Sequence, residues 1–249
     1  MAYLRTNILR SPDAQRIGPF LARFDRDSDN AYRNYAIPDD DSDATEAEVD
    51  ALIAAFRDRK RMPRFEFAPE IAPLILPRLE QVGFRSEGTL PLLECTESAF
   101  RPSAPPNDFL FSLATGNEDL RFAALVQNDA YGQPGVSDAD VHRLEGTVEK
   151  GGAVVLARES GSLTPAGAGL YSPPLDGTTE IAALGVRPLF RRRGVGAHIT
   201  TILSQHAFRS GINQPFLMAA QEAEARLYAR IGFEVCGMML HTSLKPASR

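Results

Sequence analysis

The chain has 249 residues, 43% of them hydrophobic and 24% charged, with 27 Lys and Arg against 32 Asp and Glu for a net charge of −5. That balance is ordinary for one or two compact globular units and excludes the basic surface on which broad nucleic-acid binding depends. Two cysteines, Cys95 and Cys236, with no CxxC pair, exclude a disulfide framework and a structural zinc site and fit a reducing, cytoplasmic setting.

The N-terminal stretch MAYLRTNILRSPDAQRIGPFLARF spaces its apolar residues among arginines, and Pro12 and Asp13 interrupt it, so it reads as neither a signal peptide nor a transit peptide. No window approaches the ~18 apolar residues of a membrane span. NYAIP (34–38) reads as a strand. The run PDDDSD behind it spaces Asp39, Asp41 and Asp43 like a calcium loop, but Ala44 stands where such a loop turns on glycine and Asp50 where a bidentate Glu belongs. It is read as capping the helix of ATEAEVDALIAAF. RFEF (64–67) is a second strand, and PEIAPLILPRLEQVGF leads through a second helix to a Gly-Phe pair. TESAFRPSAPPND (96–108), with three prolines, predicts a stiff connector and a boundary near 104, dividing the chain into 1–104 and 105–249.

Beyond it, FLFSLAT is a strand, NEDLRFAALVQNDAYG a helix, and SDADVHRLEGTVEKG a helix with Ser137 as N-cap. GAVVLARES and AGAGLYS flank the turn residues GSLTP and predict a hairpin. TTEIAALGV is a buried strand, RRRGVGAHITTILSQHAFRSG a helix entered through glycines, QPFLMAA a strand, EAEARLYARIG a helix, and FEVCGMMLHTSL a closing strand or hairpin. Alternating strands and helices imply an α/β fold with a parallel element. LEQVGFRSEG (79–88) and YARIGFEVCG (228–237) match at their Gly-Phe pair and final glycine, each after a strand and a helix, so the first half reads as a worn copy of the end of the second.

The chemistry concentrates in GVRPLFRRRGVGAHI (185–199), which runs from a strand end through glycines and three arginines into a helix. Such a junction gathers free backbone N–H groups and the positive end of a helix dipole, and so suits an anion. A dinucleotide fingerprint would need glycine at Ile199, and a P-loop would need Lys and Ser or Thr at Ala197 and His198, so both nucleotide readings fail. His198 and His206, two turns apart on one helix, are too far apart to share a metal, and no metal is expected. The stretch resembles the acyl-CoA loop of the GNAT superfamily of N-acetyltransferases, V-x-P-x-x-[RQ]-x-x-G-x-[GA], matched by Val186, Pro188, Arg191, Gly194 and Gly196. LYARIGF is similar to the family's later L-Y-x-x-x-G-F element, and the resemblance extends over roughly 106–245.

The resemblance implies a GNAT fold, a mixed, partly parallel twisted sheet flanked by helices, with a smaller degenerate GNAT-like N-terminal region. It implies acetyl-CoA as co-substrate, its pyrophosphate held by backbone amides from Arg191 through Arg192, Arg193, Gly194, Val195 and Gly196 to Ala197. Backbone groups of Leu184, Gly185 and Val186 would bind the pantetheine arm, with Gln221 a further contact. Glu180 takes the position of the general base and Tyr228 that of the acid beside the leaving thiolate. The acceptor is expected to be a primary amine of a small molecule or peptide, with no nucleic-acid or membrane partner. Two alternatives stay open on the sequence: an acyl-CoA sensor without turnover, and an assembly protein whose degenerate half forms a homodimer.

Overall fold

The computed structural model describes residues 1–133 and 135–245. In chain order the first elements are α1 (Ala2–Leu9), β1 (Ala14–Ile17), β2 (Phe20–Arg23), β3 (Tyr35–Pro38), α2 (Glu46–Asp58), β4 (Arg64–Phe67), α3 (Ile75–Gln81) and β5 (Arg85–Glu94). They are followed by β6 (Phe109–Leu113), α4 (Asn117–Ala130), α5 (Asp138–Glu149), β7 (Ala153–Glu159), β8 (Pro165–Tyr171) and β9 (Thr178–Val186). α6 (Val195–Arg209), β10 (Gln214–Met218), α7 (Glu222–Ile231) and β11 (Glu234–Ser243) complete the chain. The fold is the α/β arrangement expected, in two compact units: one from Met1–Pro91 with the chain from Gly237 onward, the other Leu92–Cys236.

In the first unit the strands run β1-β2-β3-β4-β11-β5. β3 and β4 are parallel, with Ala36 opposite Phe65, and β11 returns antiparallel to β4. The alternation of RFEF sends Phe65 and Phe67 to one face, where Phe20, Ala36 and Leu240 join Val49, Leu52 and Phe56 of α2 and Ile75 and Leu79 of α3. The alternate positions, Arg64 and Glu66 with His241 and Ser243 opposite them on β11, are buried as well. Arg64 pairs with Glu66 and with Glu87 (2.9 Å), and the ring of Tyr32 lies 4.7 Å from its guanidinium carbon.

In the second unit the end of β5 begins the order β5-β10-β9-β8-β7-β6. β6 to β9 form an antiparallel meander and β9 pairs parallel with β10. Alternate residues of β7 feed two cores. Val154 and Leu156 pack with Leu120, Ala124 and Val126 of α4 and Val141 and Leu144 of α5, while Val155 and Ala157 pack with Ile199 and Leu203 of α6 and Tyr228 and Ile231 of α7. The glycines of AGAGL permit the close approach of α6: a Cβ at Gly167 would stand 2.7 Å from Val195 Cγ1.

The expected boundary near 104 is displaced. Leu92–Glu94 pair with Met218–Phe216 of β10, and Arg101 N–H donates to the Ile231 carbonyl (2.7 Å). Ser103 is bound through its amide (3.1 Å) and hydroxyl (2.9 Å) to Thr201 Oγ1. The proline-rich stretch is thus fixed surface of the second unit, because its backbone groups find partners there. Conversely, β11 passes after Cys236 into the first unit, where it completes the sheet beside β4.

Candidate active site

β9 is built to part from its neighbour. Its parallel pairing with β10 runs only from Thr178 opposite Gln214 to Glu180 opposite Phe216, after which β10 is held on its other side by β5. Toward β8 the register shifts by one residue between Ala182 and Gly185, so that Ala183 and Leu184 face the single Gly169, and Ala183 adopts φ +50°. That is a β-bulge, which bends the strand and increases its twist. From Ile181 onward β9 therefore presents an edge that β10 does not cover. Arg187 N–H donates to Ala166 (2.9 Å), so by antiparallel alternation Gly185 exchanges its bonds with Ala168 while Val186 turns its main chain to the open edge. Gly185 is thus a packing residue rather than a pantetheine contact: a Cβ there would lie 2.7 Å from Ala130 Cβ of α4. The Val186 carbonyl accepts Arg191 Nε (3.0 Å).

Past Val186 the chain makes a 3-10 turn at Pro188–Phe190 and enters α6 through two left-handed residues, Arg192 (φ +60°) and Gly194 (φ +81°). No side chain caps α6, whose first backbone bond is His198 N–H to the Gly194 carbonyl (3.0 Å). The expected run of amides is shorter by one, since Arg191 N–H is used by the Pro188 carbonyl (3.3 Å). The amides of Arg192, Arg193, Gly194, Val195, Gly196 and Ala197 have no acceptor among the described residues. Unpaired donors at a positive helix end form an anion cradle. Gly194 is required by its left-handed backbone. At Gly196 a Cβ would make only ordinary contact with Leu184 Cδ2 (3.4 Å), so the fold itself leaves room there for a side chain.

The three arginines differ in role. Arg191 folds back on Val186. Arg193 lies over Phe109 (4.6 Å) and Phe190 (5.7 Å) and pairs with Asp108 (3.2 Å) and Glu159 (3.5 Å), fastening the loop to β6 and β7. Arg192 is exposed and its side chain has no partner among the described residues.

Glu180 is half-buried at the last position where β9 pairs with β10, and its carbonyl accepts Ser172 N–H (2.8 Å). Tyr228 on the inner face of α7 is 6% exposed, and its hydroxyl bonds to no described residue. Burial first, then the Glu224 carboxylate and the Tyr131 phenol, hold its pKa well above the usual value of 10. Gln221 is the exposed N-cap of α7, but its side chain caps nothing; Glu224 reaches back instead to Ala220 N–H (2.8 Å). Cys95 is buried, with its thiol pushed up to about 11, and burial likewise raises exposed Cys236, so neither is a ready thiolate. Among the described residues no cluster of His, Cys, Asp and Glu could hold a metal, and no helix is long and apolar enough to cross a membrane.

The corresponding junction of the first unit is closed. Thr45 accepts Glu48 N–H (3.3 Å) while the Glu48 carboxylate accepts Thr45 N–H (2.8 Å), and Glu46 adds a further negative charge to the first turn of α2. The capping box occupies two of the donors whose counterparts α6 leaves free. Sequence reasoning pointed to the glycine-rich start of α6 but not to the bulge at Ala183, for which no residue type gives a signal. The strut at Arg193 also escaped it, because Phe109 and Asp108 are distant from it in the chain.

The site thus joins a sheet that opens between two parallel strands to an uncapped helix start. Residues 121–233 match the family model described as Acetyltransferase (GNAT) family. Among solved structures, a GCN5-related N-acetyltransferase from Kribbella flavida is similar over 99% of this chain and 96% of its own, with TM-score 0.78 and 22% identity. A GCN5-related N-acetyltransferase from Sphaerobacter thermophilus is similar over 92% of this chain and 78% of its own (TM-score 0.67, 17% identity). A tandem GNAT protein from the clavulanic acid biosynthesis pathway is similar over 86% and 76% (TM-score 0.63, 11% identity). No curated protein matches in sequence.

Proposed function

We propose that the chain is an N-acetyltransferase that moves an acetyl group from acetyl-CoA to a primary amine of a small molecule or peptide. The observation that carries this reading is the set of unpaired amides from Arg192 to Ala197 next to the uncovered edge of β9. These donors fit the pyrophosphate of CoA, with Arg192 adding charge and the Val186 N–H on the uncovered edge available to a pantetheine carbonyl. When bound, acetyl-CoA supplies an acetyl group activated as a thioester.

This chain's residues then have two tasks. An alkylamine of pKa about 10.4 is neutral in roughly one molecule per thousand at pH 7, and only that form attacks. Glu180 is assigned to take the proton, directly or through water, a service worth ~10²–10⁴-fold in rate. Tyr228 is assigned to stabilise the departing thiolate. Since its pKa is raised, it stays neutral across the working range and acts by donating a hydrogen bond rather than by releasing its proton. The activity runs through a single site, because the α2 junction of the first unit is capped and acidic.

The test is CoA release from acetyl-CoA across a panel of amines, for wild type and Tyr228→Phe. The variant should lose roughly 10²-fold in kcat with the KM for acetyl-CoA unchanged. The wild-type rate should show no loss from this tyrosine below pH 10. Equal rates in both proteins would remove Tyr228 from the mechanism, and no CoA release with any amine would sink the activity.

A further inference from the structure

The capped start of α2 leaves the first unit without an anion cradle, but the other end of that helix is built differently. An open cavity of about 510 Å³ lies there, between the turn after α2 (Arg59, Arg61), the start of β1 (Gln15) and the segment that follows β2 (Phe24, Asp25). The two arginines are held in place by neutral groups. Arg59 donates from Nη1 to the Ala55 carbonyl (2.9 Å) and from Nη2 to Gln15 Oε1 (2.9 Å), and its guanidinium carbon lies 4.4 Å from the centre of the Phe24 ring. Arg61 donates from Nη2 to the Asp25 carbonyl (3.1 Å) and from Nη1 to the Arg59 carbonyl (3.3 Å).

These bonds cap the end of α2, yet a carbonyl satisfies a donor without cancelling a charge. Neither guanidinium pairs with a carboxylate among the described residues. The acids on the cavity wall are engaged elsewhere: Asp13 pairs with Arg26, and the Asp25 carboxylate accepts Asp27 N–H (2.9 Å) and lies 3.8 Å from Arg33. Both cations therefore keep N–H donors and their full charge for a guest. Two such charges outweigh the roughly −0.5 of the dipole at the end of α2. The sequence concentrates charge at the same turn, where Arg57, Arg59, Lys60 and Arg61 stand against Asp58 alone in a chain whose net charge is −5. Fixing two forked cations before a ligand arrives also lowers the entropy lost on binding.

We infer that this cavity binds a phosphate dianion, free or as the ester of a small molecule, its two charges matched by two fixed guanidiniums. The site belongs to the first unit and does not rest on the acetyl-transfer reading. The test is calorimetric titration of the full chain, at pH 8 and constant ionic strength, with phenyl phosphate, inorganic phosphate and benzoate. Phenyl phosphate should bind saturably, and benzoate, with a single charge, about tenfold more weakly. Inorganic phosphate binding as tightly as phenyl phosphate assigns the site to the free ion, and weaker binding assigns it to an ester. Arg61→Gln should weaken phenyl phosphate about tenfold. Gln15→Glu should do the same while melting no lower than wild type, because its carboxylate keeps the bond to Arg59 and cancels the charge. A role in capping alone would lower the melting temperature of Arg61→Gln and leave the affinity of Gln15→Glu unaltered. Gly196→Asp, which places a carboxylate in the cradle of the second unit, should bind phenyl phosphate as wild type does. Absence of saturable phenyl phosphate binding, equal binding of benzoate, loss of binding in Gly196→Asp, or unchanged affinity in Gln15→Glu overturns the proposal.

Discussion

The three arginines of one tripeptide show how position decides what a charge does. Arg192 is exposed and unengaged at the open helix end, so Arg192→Ala should weaken acetyl-CoA binding roughly tenfold, ~1.4 kcal/mol, with no change in melting temperature. Arg193 is a strut over Phe109 and Phe190, and Arg193→Ala should instead destabilise the free protein by about 1 kcal/mol. Calorimetric titration and thermal melts of the two variants distinguish these outcomes, and equal effects on binding would contradict the assignment. The sequence showed that a cluster of arginines stood at a helix start. It could not show which one faced solvent, because that depends on Asp108, Phe109 and Glu159, all distant in the chain.

At the level of elements, much was legible because local rules agree with the tertiary structure. The 3.6-residue period of α4, α5 and α6, the Ser137 capping box and the GSLTP turn all lie where their residues imply. The L-Y-x-x-x-G-F element was recognised as a motif, and the structure supplies its physical reason. Gly232 ends α7 at φ +102°, and a Cβ there would collide with the Ala99 carbonyl. Gly232→Ala should therefore cost ~3 kcal/mol or more in chemical denaturation, while a cost near that of a surface substitution would refute the close approach. The polar face of β4 and β11 was not legible. RFEF alternates as a half-exposed strand would, yet Arg64 and Glu66 are buried against His241 and Ser243. His241 is held at about 4 against an ordinary 6.5, chiefly by burial and then by the Arg64 charge. The unfolded chain thus takes up a proton between these values that the folded chain refuses, so stability is complete above pH 6.5 and falls as pH drops toward 4, by up to ~3 kcal/mol. His241→Gln should flatten that limb of the stability profile, and an unaltered slope would assign the acid sensitivity elsewhere.

For the whole molecule, the two compact units each carry the same sequence of elements, a strand, a helix and a parallel strand (β3-α2-β4 and β9-α6-β10). The Gly-Phe pairs that end the next helix of each unit, Gly83-Phe84 after α3 and Gly232-Phe233 after α7, were what betrayed this in the sequence. The chain path was not legible, since an exchange of strand partners at β5 and β11 leaves no local mark, and the boundary was accordingly misplaced at the prolines. What separates the units chemically is one helix start: Thr45 and Glu48 close α2, whereas α6 is left open.

That difference is the account's central claim, and Gly196→Asp tests it directly. The fold has room for this side chain, and a carboxylate in the first turn of a helix favours the helix, so the free variant should melt at or above the wild-type temperature. Acetyl-CoA at ~100-fold over Kd should raise the wild-type melting temperature by roughly 5–10 °C, the equivalent of about 2.7 kcal/mol. The variant should show no shift, because its carboxylate repels the phosphates. A wild-type protein that acetyl-CoA does not stabilise, or a variant stabilised as strongly as wild type, would contradict the cradle.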